Sequence, residues 1–257
     1  MPKFAANLSF LFADAPFPER FKRAAAAGFS GVEYLFPYAY AAHEVADWLK
    51  AADLEQVVFN LAPGDWAAGE RGLACLPQRQ GEFAETVEQA LNYAVALDCE
   101  QLHCMAGIRP AGVSESLLEA TYIANLRHAA DRLATVGVTL MIEPINSRID
   151  MPGYWLDDVD KAFRLLEAVD RSNVKLQYDI YHAQIIAGDL ARTLAANIEQ
   201  IGHIQIADNP GRHEPGTGEI NYPFLFELLD RLAYDGWVGC EYKPLTTTEA
   251  GLGWLKR

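Results

Sequence analysis

Three short apolar segments in the second half of the chain are each followed by an acidic residue, and these acids are the side chains best suited to chemistry. Segments of this composition are typical of strands that are buried on both faces. A carboxylate at the exit of a buried strand can serve as an acid, a base or a metal ligand. The acids are Glu143, Asp179 and Glu241, which follow residues 137–142, 173–178 and 237–240.

A fourth apolar segment, residues 202–207, carries the polar Gln205 within it. The intervals between the three acids and Gln205 are each about as long as one strand, one helix and two loops, which is one unit of an eight-unit βα barrel. The same alternation runs along the whole chain, so we predict a single (β/α)8 TIM barrel domain over residues 1–257. A doubly wound open sheet is the competing fold, but no GxGxxG motif follows the first strand. The predicted strands are 4–9, 32–35, 56–61, 101–105, 137–142, 173–178, 202–207 and 237–240, and the predicted helices are 18–28, 43–52, 82–97, 114–135, 157–168, 190–199 and 222–232.

Composition restricts the class of protein. The chain has 257 residues, 51% of them apolar and 22% charged, which is typical of an ordinary folded protein. Its formal charge of −14 argues against a nucleic-acid partner, and it means that an anionic substrate needs positive charge close to its site. Four cysteines without CxxC spacing, no signal-peptide pattern and no apolar run of about 18 residues predict a cytoplasmic protein without a membrane segment.

In a TIM barrel the carboxyl ends of the strands carry the active site, so Glu143, Asp179 and Glu241 should converge there. Three carboxylates at short range need a counter-charge, and a divalent cation is the usual one. Oxygen ligands favour Mg²⁺ or Mn²⁺, with Co²⁺ as an alternative, over zinc. The competing interpretation is that each acid caps the following helix or pairs with a surface lysine.

Other polar residues lie near the same strand ends. His182 follows Asp179 by about one helical turn, and Asn146 follows Glu143 by three residues, so both could face the same pocket. Residues 62–80, rich in glycine, proline and tryptophan, form a segment long enough to cover a small ligand. We expect one of three basic residues to hold a substrate anion, although each could equally be an ordinary surface residue. These are Arg71, Arg212 and Lys243.

Segments along essentially the whole chain resemble the hydroxypyruvate isomerase family, which belongs to the xylose isomerase-like TIM barrels. They include FAANLSFLF, PGDWAAGERGLACLP, IEPIN, QYDIYH, HIQIADNPGRHEPGTGEINY and GWVGCEYKP. The resemblance implies conversion of hydroxypyruvate to tartronate semialdehyde, with Glu143 and Glu241 as the proton-transferring pair. It also implies a metal-ligand set of Glu143, Asp179, Gln205 and Glu241. Related sugar epimerases usually have a histidine in place of Gln205, and an amide is a weaker ligand, so we expect modest metal affinity.

The isomerisation suits these residue types. Removing a proton from C3 of hydroxypyruvate gives an enediolate, which a divalent cation and a donor such as His182 would stabilise. Closely similar proteins act on 2-oxo-tetronates, one carbon longer, and the motifs do not separate the two activities. The same residues would also suit a ketose 3-epimerase, and less well a metal-dependent nuclease or a non-catalytic binding protein. Barrels of this kind commonly form homo-oligomers, but no interface pattern is evident in the sequence.

Overall fold

The computed structural model describes residues 2–256, and it confirms the predicted closed barrel of parallel strands in the order β1 to β8. β8 pairs with β1 and closes the barrel, with Lys3 opposite Trp237 and Ala6 opposite Cys240. The strands are β1 (Lys3–Asn7), β2 (Gly31–Tyr34), β3 (Glu55–Asn60), β4 (Gln101–His103), β5 (Thr139–Ile142), β6 (Val174–Asp179), β7 (Ile201–Ile206) and β8 (Trp237–Cys240). The helices are α1 (Phe17–Ala26), α2 (Ala42–Ala52), α3 (Gln80–Leu97), α4 (Glu115–Ala134), α5 (Val159–Val169), α6 (Ile180–Ile186), α7 (Leu190–Asn197), α8 (Tyr222–Arg231) and α9 (Thr248–Gly251).

Short polar side chains begin and end several of these helices. The Ser114 hydroxyl accepts a hydrogen bond from Leu117 N and starts α4, as the sequence predicts. Three helices, α2, α3 and α5, end at aspartates with positive φ, a conformation that Asp tolerates better than most residues. These aspartates are Asp53, Asp98 and Asp170. Among residues 2–256, no helix is long and apolar enough to cross a membrane.

The barrel interior changes from apolar to polar along its axis. Near the amino ends of the strands Trp237 packs with Ala5, Val57 and Val58. Gly31 leaves room for that indole, since a Cβ there would lie 2.7 Å from the ring. Towards the carboxyl ends the buried residues become amides, histidines and acids. Buried polar groups need partners, so this half of the interior is built around specific hydrogen bonds.

Two helices differ from the sequence prediction. α6 begins directly after β6 and is not among the predicted helices, although the sequence analysis interprets the spacing from Asp179 to His182 as about one helical turn. Asp179 starts α6 by accepting hydrogen bonds from Tyr181 N and His182 N. α9, close to the end of the chain, is likewise outside the predicted set. The remaining element boundaries lie within a few residues of those predicted.

Candidate active site

A cavity of about 230 Å³ lies at the carboxyl ends of the strands. Its walls combine aromatic and apolar side chains with acids, histidines and bases. Six of the site residues predicted from the sequence line this cavity, and three others contact the lining residues from behind. The six are Glu143, Glu241, His182, Arg71, Arg212 and Lys243, and the three are Asn146, Asp179 and Gln205.

Glu143 follows β5 directly and is buried. Gln177 Nε2 donates to its Oε2 at 3.0 Å, and His103 Nε2 lies 3.5 Å from the same oxygen. Burial raises the pKa of Glu143 well above its usual value, and the charges of Asp179 and Glu241 raise it further. Burial lowers the pKa of His103 to about 3, so this neighbouring ring is neutral at pH 7. Glu143 is therefore a carboxyl group suited to carrying a proton near neutral pH.

Glu241 follows β8 and, unlike Glu143, has a cation against it. Arg212 Nη2 lies 2.6 Å from Glu241 Oε1, and Arg212 Nη1 lies 2.8 Å from Asp150 Oδ1. Burial raises the pKa of Glu241 to about 8, although the Arg212 charge opposes this shift. Burial also works against the charge of Arg212, but the surrounding carboxylates outweigh it and raise the pKa of the guanidinium. Two acids of the protein thus share the charge of Arg212.

Asp179 and His182 lie beside Glu143. His182 Nε2 is 3.8 Å from Asp179 Oδ2 and 4.0 Å from Glu143 Oε1. One ligand atom from each of these three residues falls within 4.8 Å of the others, a spacing that could hold a metal ion. Asp179 Oδ2 is buried without a hydrogen-bond partner, whereas Oδ1 caps α6. A buried carboxylate oxygen without a partner fits a bound cation, because such an oxygen is otherwise costly.

Side-chain amides connect the acids beneath the cavity. Gln205 Nε2 donates to Glu241 Oε2 at 2.8 Å and to Glu33 Oε1 at 2.7 Å. Asn7 Nδ2 donates to the same two oxygens at 3.1 Å and 2.9 Å. Gln205 Oε1 accepts from Gln177 Nε2 at 2.8 Å. Both ends of the Gln205 side chain are therefore engaged by protein partners.

Glu33 is a fully buried acid from β2, and the sequence analysis does not identify it. Its Oε2 lies 2.7 Å from His203 Nε2, so all the contacts of this carboxylate are inside the barrel. Gly239 makes room for it, because a Cβ at that position would collide with the carboxylate. Glu33 supports the Gln205 and Asn7 amides from below and does not itself line the cavity.

Arg71 and Lys243 lie at the mouth of the cavity. The Arg71 guanidinium stacks 3.8 Å from the centre of the Trp66 ring and donates to two backbone carbonyls of its own segment. Residues 62–80 pack against the end of β4 through the isolated bridge between Gly72 and Ala106. Within residues 2–256 the exposed Lys243 ammonium forms no ion pair. Lys243 is therefore the base whose charge is most available to a ligand.

Four residues of this network are missed by sequence reasoning: Asn7, Glu33, Asp150 and Gln177. Asn7, Glu33 and Gln177 lie on β1, β2 and β6, where a polar residue in a mainly apolar strand is the available signal. Gln205 carries that same signal and is found by it. Asp150 lies in an irregular segment after β5, and nothing in its local sequence distinguishes it from a surface acid.

A closed βα barrel with buried acids around a cavity at the carboxyl ends of its strands has the architecture of a TIM-barrel enzyme. Residues 21–257 match the xylose isomerase-like TIM barrel family. The chain belongs to this family, as its resemblance to the hydroxypyruvate isomerase family implies.

Several named isomerases match over the full length of the chain. It is 53% identical to the 2-oxo-tetronate isomerase of Cupriavidus necator, covering 100% of this chain and 98% of that protein. It is 50% identical to the hydroxypyruvate isomerase of Escherichia coli, covering 99% of this chain and 98% of that protein. A Brucella melitensis crystal structure described as an AP endonuclease of family 2 superposes with a TM-score of 0.97 at 52% identity, covering 100% and 98%. The structure of the 3-keto-D-glucoside 4-epimerase of Escherichia coli superposes with a TM-score of 0.83 at 22% identity, covering 100% of this chain and 99% of that one. At this identity the match shows similarity of fold alone.

Proposed function

We propose that this protein is an isomerase that interconverts hydroxypyruvate and tartronate semialdehyde. The observation that carries the proposal is the pair Glu143 and Glu241, two buried glutamates that line one small cavity. They follow β5 and β8, which are three strands apart in the eight-stranded barrel, so they reach the cavity from different sides of its opening. The identities of about 50% to named isomerases over the whole chain give the same reaction class.

The reaction moves one proton from C3 to C2 of the substrate through an enediolate, and the hydroxyl proton on O3 passes to O2, so the C3 alcohol becomes the aldehyde and the C2 ketone becomes the alcohol. One carboxylate removes the C3 proton, and a protonated carboxyl group supplies the C2 proton. Burial raises the pKa of both Glu143 and Glu241, which brings their proton exchange closer to neutral pH than that of an exposed glutamate. Two carboxyl groups that can take the roles of acid and base thus line the same cavity.

The substrate is an anion, and this acidic protein must bind it with local positive charge. Lys243 has no ion pair within residues 2–256 and lines the cavity, so it is the best-placed base to hold the substrate carboxylate. Arg71 lines the same cavity above Trp66 and can contact the other end of a bound molecule. Arg212 contributes by keeping Glu241 and Asp150 in place.

A divalent cation fits the acids beside His182. Glu143 and Asp179 would hold it, since Asp179 Oδ2 is buried and has no hydrogen-bond partner. Mg²⁺ or Mn²⁺ suits two carboxylates best, with Co²⁺ as the alternative, and the ion would stabilise negative charge on the substrate oxygens. The other two ligands implied by the family resemblance, Gln205 and Glu241, have their polar atoms engaged by protein partners.

A 2-oxo-tetronate is the alternative substrate, because the 53% identical relative carries that name. The Brucella structure described as an endonuclease does not shift the proposal, since a net charge of −14 opposes contact with phosphate backbones. An uncharged ketose would not need Lys243, so turnover of ketoses would favour an epimerase.

The deciding assay offers EDTA-treated protein three substrates: hydroxypyruvate, a 2-oxo-tetronate and an uncharged ketose. Each is tested with and without Mg²⁺ or Mn²⁺. Tartronate semialdehyde is followed with a reductase that uses the aldehyde and NADH, and Glu143→Gln is the matched inactive control. Turnover of hydroxypyruvate supports the proposal. If only the 2-oxo-tetronate is turned over, the longer acid is the substrate. If the protein turns over neither acid, the proposed function is wrong.

A further inference from the structure

The orientation of the Asn146 side chain is determined by its surroundings. One end of its amide receives two backbone N–H groups, Ile149 N at 2.9 Å and Asp150 N at 3.2 Å. A backbone N–H can only donate, so the atom that faces both must be Oδ1. The NH₂ group then points the other way, to Asp150 Oδ2 at 2.7 Å and to His182 Nδ1 at 2.7 Å.

This orientation determines which ring nitrogen of His182 carries the proton. The Asn146 NH₂ group is a donor, so His182 Nδ1 must accept and must present its lone pair. A ring nitrogen that accepts a hydrogen bond carries no proton, so the buried His182 ring cannot be protonated at both nitrogens and is neutral in this arrangement. A neutral imidazole has one N–H, and in His182 that N–H is at Nε2.

The Nε2–H group points to the acids without bonding to either. Its distances of 3.8 Å to Asp179 Oδ2 and 4.0 Å to Glu143 Oε1 exceed a hydrogen bond. The three residues have the spacing of metal ligands, but a protonated nitrogen has no lone pair to offer a metal. His182 therefore has a free donor that points to the gap in which a substrate oxygen would lie.

We propose that Asn146 and Asp150 are positioning residues that hold His182 in the Nε2–H form, so that His182 is a hydrogen-bond donor to the substrate and not a metal ligand. Asp150 completes the arrangement, because Arg212 and Tyr181 hold its carboxylate where it accepts from Asn146. The role of His182 as a donor to the substrate rests on the proposed isomerisation. The position of its proton does not depend on that function, since it follows from the contacts of Asn146 within the protein.

Nitrogen-15 NMR of histidine-labelled protein at pH 7 tests the inference directly. The signals of His182 are identified by their loss in His182→Gln. We expect Nε2 to be protonated and Nδ1 not, and we expect this to persist when Mg²⁺ is added alone. Protonation at Nδ1, or loss of the Nε2 proton on adding Mg²⁺, would overturn the proposal. If Nε2 is protonated but hydroxypyruvate is not turned over, only the proposed function fails.

Asn146→Asp provides the second test, because a carboxylate at this position accepts from His182 and moves the proton to Nδ1. The expected result is an altered His182 spectrum together with a loss in kcat of roughly 100- to 1000-fold, typical of removing an oxyanion donor, and a smaller change in KM. Ser147→Ala is the matched neighbouring control and should leave the His182 spectrum and kcat unchanged. If Asn146→Asp fails to fold, the wild-type spectrum still decides where the proton lies. An unchanged spectrum in folded Asn146→Asp would refute the role of Asn146.

Discussion

Replacing Arg212 with methionine should strongly destabilise the protein, because Arg212 is the shared cation of two acids. Its side chain is 11% exposed and pairs with Glu241 and Asp150 at 2.6 Å and 2.8 Å. At an effective dielectric constant of about 20, each such pair has an attraction of about 4 kcal/mol. The cost of burying the ions offsets much of this attraction, but removing one partner leaves charge uncompensated. We therefore expect a loss of about 3–5 kcal/mol in the free energy of unfolding.

The size of this loss should depend on pH. Burial tends to raise the pKa of Asp150, but its bond from Asn146 and the Arg212 charge hold that pKa below its usual value. A lowered carboxyl pKa stabilises the fold above the unfolded pKa, and Arg212→Met removes the part of this contribution that comes from the Arg212 charge. Burial raises the pKa of Glu241 to about 8, so the wild-type fold becomes less stable as the pH rises from about 4.5 to 8. Without the Arg212 charge this pKa is higher still, so the variant continues to lose stability at higher pH. The deficit of the variant should thus be small near pH 4 and grow towards pH 9.

Urea unfolding at pH 5, 7 and 9, followed by circular dichroism, measures this deficit. Arg212→Lys is the matched control, since it keeps a charge but cannot contact both acids with one planar group. Its deficit should lie between those of the wild type and Arg212→Met. A deficit below about 1 kcal/mol at pH 9, or one that shrinks as pH rises, would refute the view that Arg212 compensates these buried charges.

The other predictions concern activity and packing. Glu143→Gln and Glu241→Gln should each lower kcat by about 10²- to 10⁴-fold with an unchanged circular dichroism spectrum. The kcat/KM profile of the wild type should be bell-shaped, with its ascending limb well above pH 4.5 because burial raises both glutamate pKa values. Lys243→Ala should raise KM for the anionic substrate more than it lowers kcat. Gly239→Ala should cost about 1–3 kcal/mol in urea unfolding, because the new Cβ collides with Glu33.

The barrel and its strand-end acids can be predicted from the sequence because buried parallel strands read as uninterrupted apolar segments. Glu143 and Glu241 interrupt this pattern where β5 and β8 end, and the barrel brings both to one cavity. His182 and Asn146 are also predicted near the site by their spacing from the acids. Local spacing is enough for these residues because each lies within one turn of a strand end.

Spacing fails where partners are distant in the sequence. Glu33 meets Gln205 across the barrel interior, 172 residues away, and Arg212 reaches Asp150 across 62 residues. No local pattern records such contacts. The helix α6 is outside the predicted set for a different reason: it has only seven residues, and the Asp179 carboxylate that caps it is interpreted from the sequence mainly as a site residue.

The Gln205 side chain bonds to three partners at once, which determines how the acids beneath the cavity are held. Its NH₂ group donates to Glu33 and Glu241 at once, and its oxygen accepts from Gln177. An imidazole has two nitrogens and could not serve these three partners together. Gln177 in turn donates to Glu143, so two amides link the two glutamates in one hydrogen-bonded chain. Each carboxylate is thereby held in a set orientation before a substrate arrives, which is what proton transfer between two groups on either side of a small molecule requires.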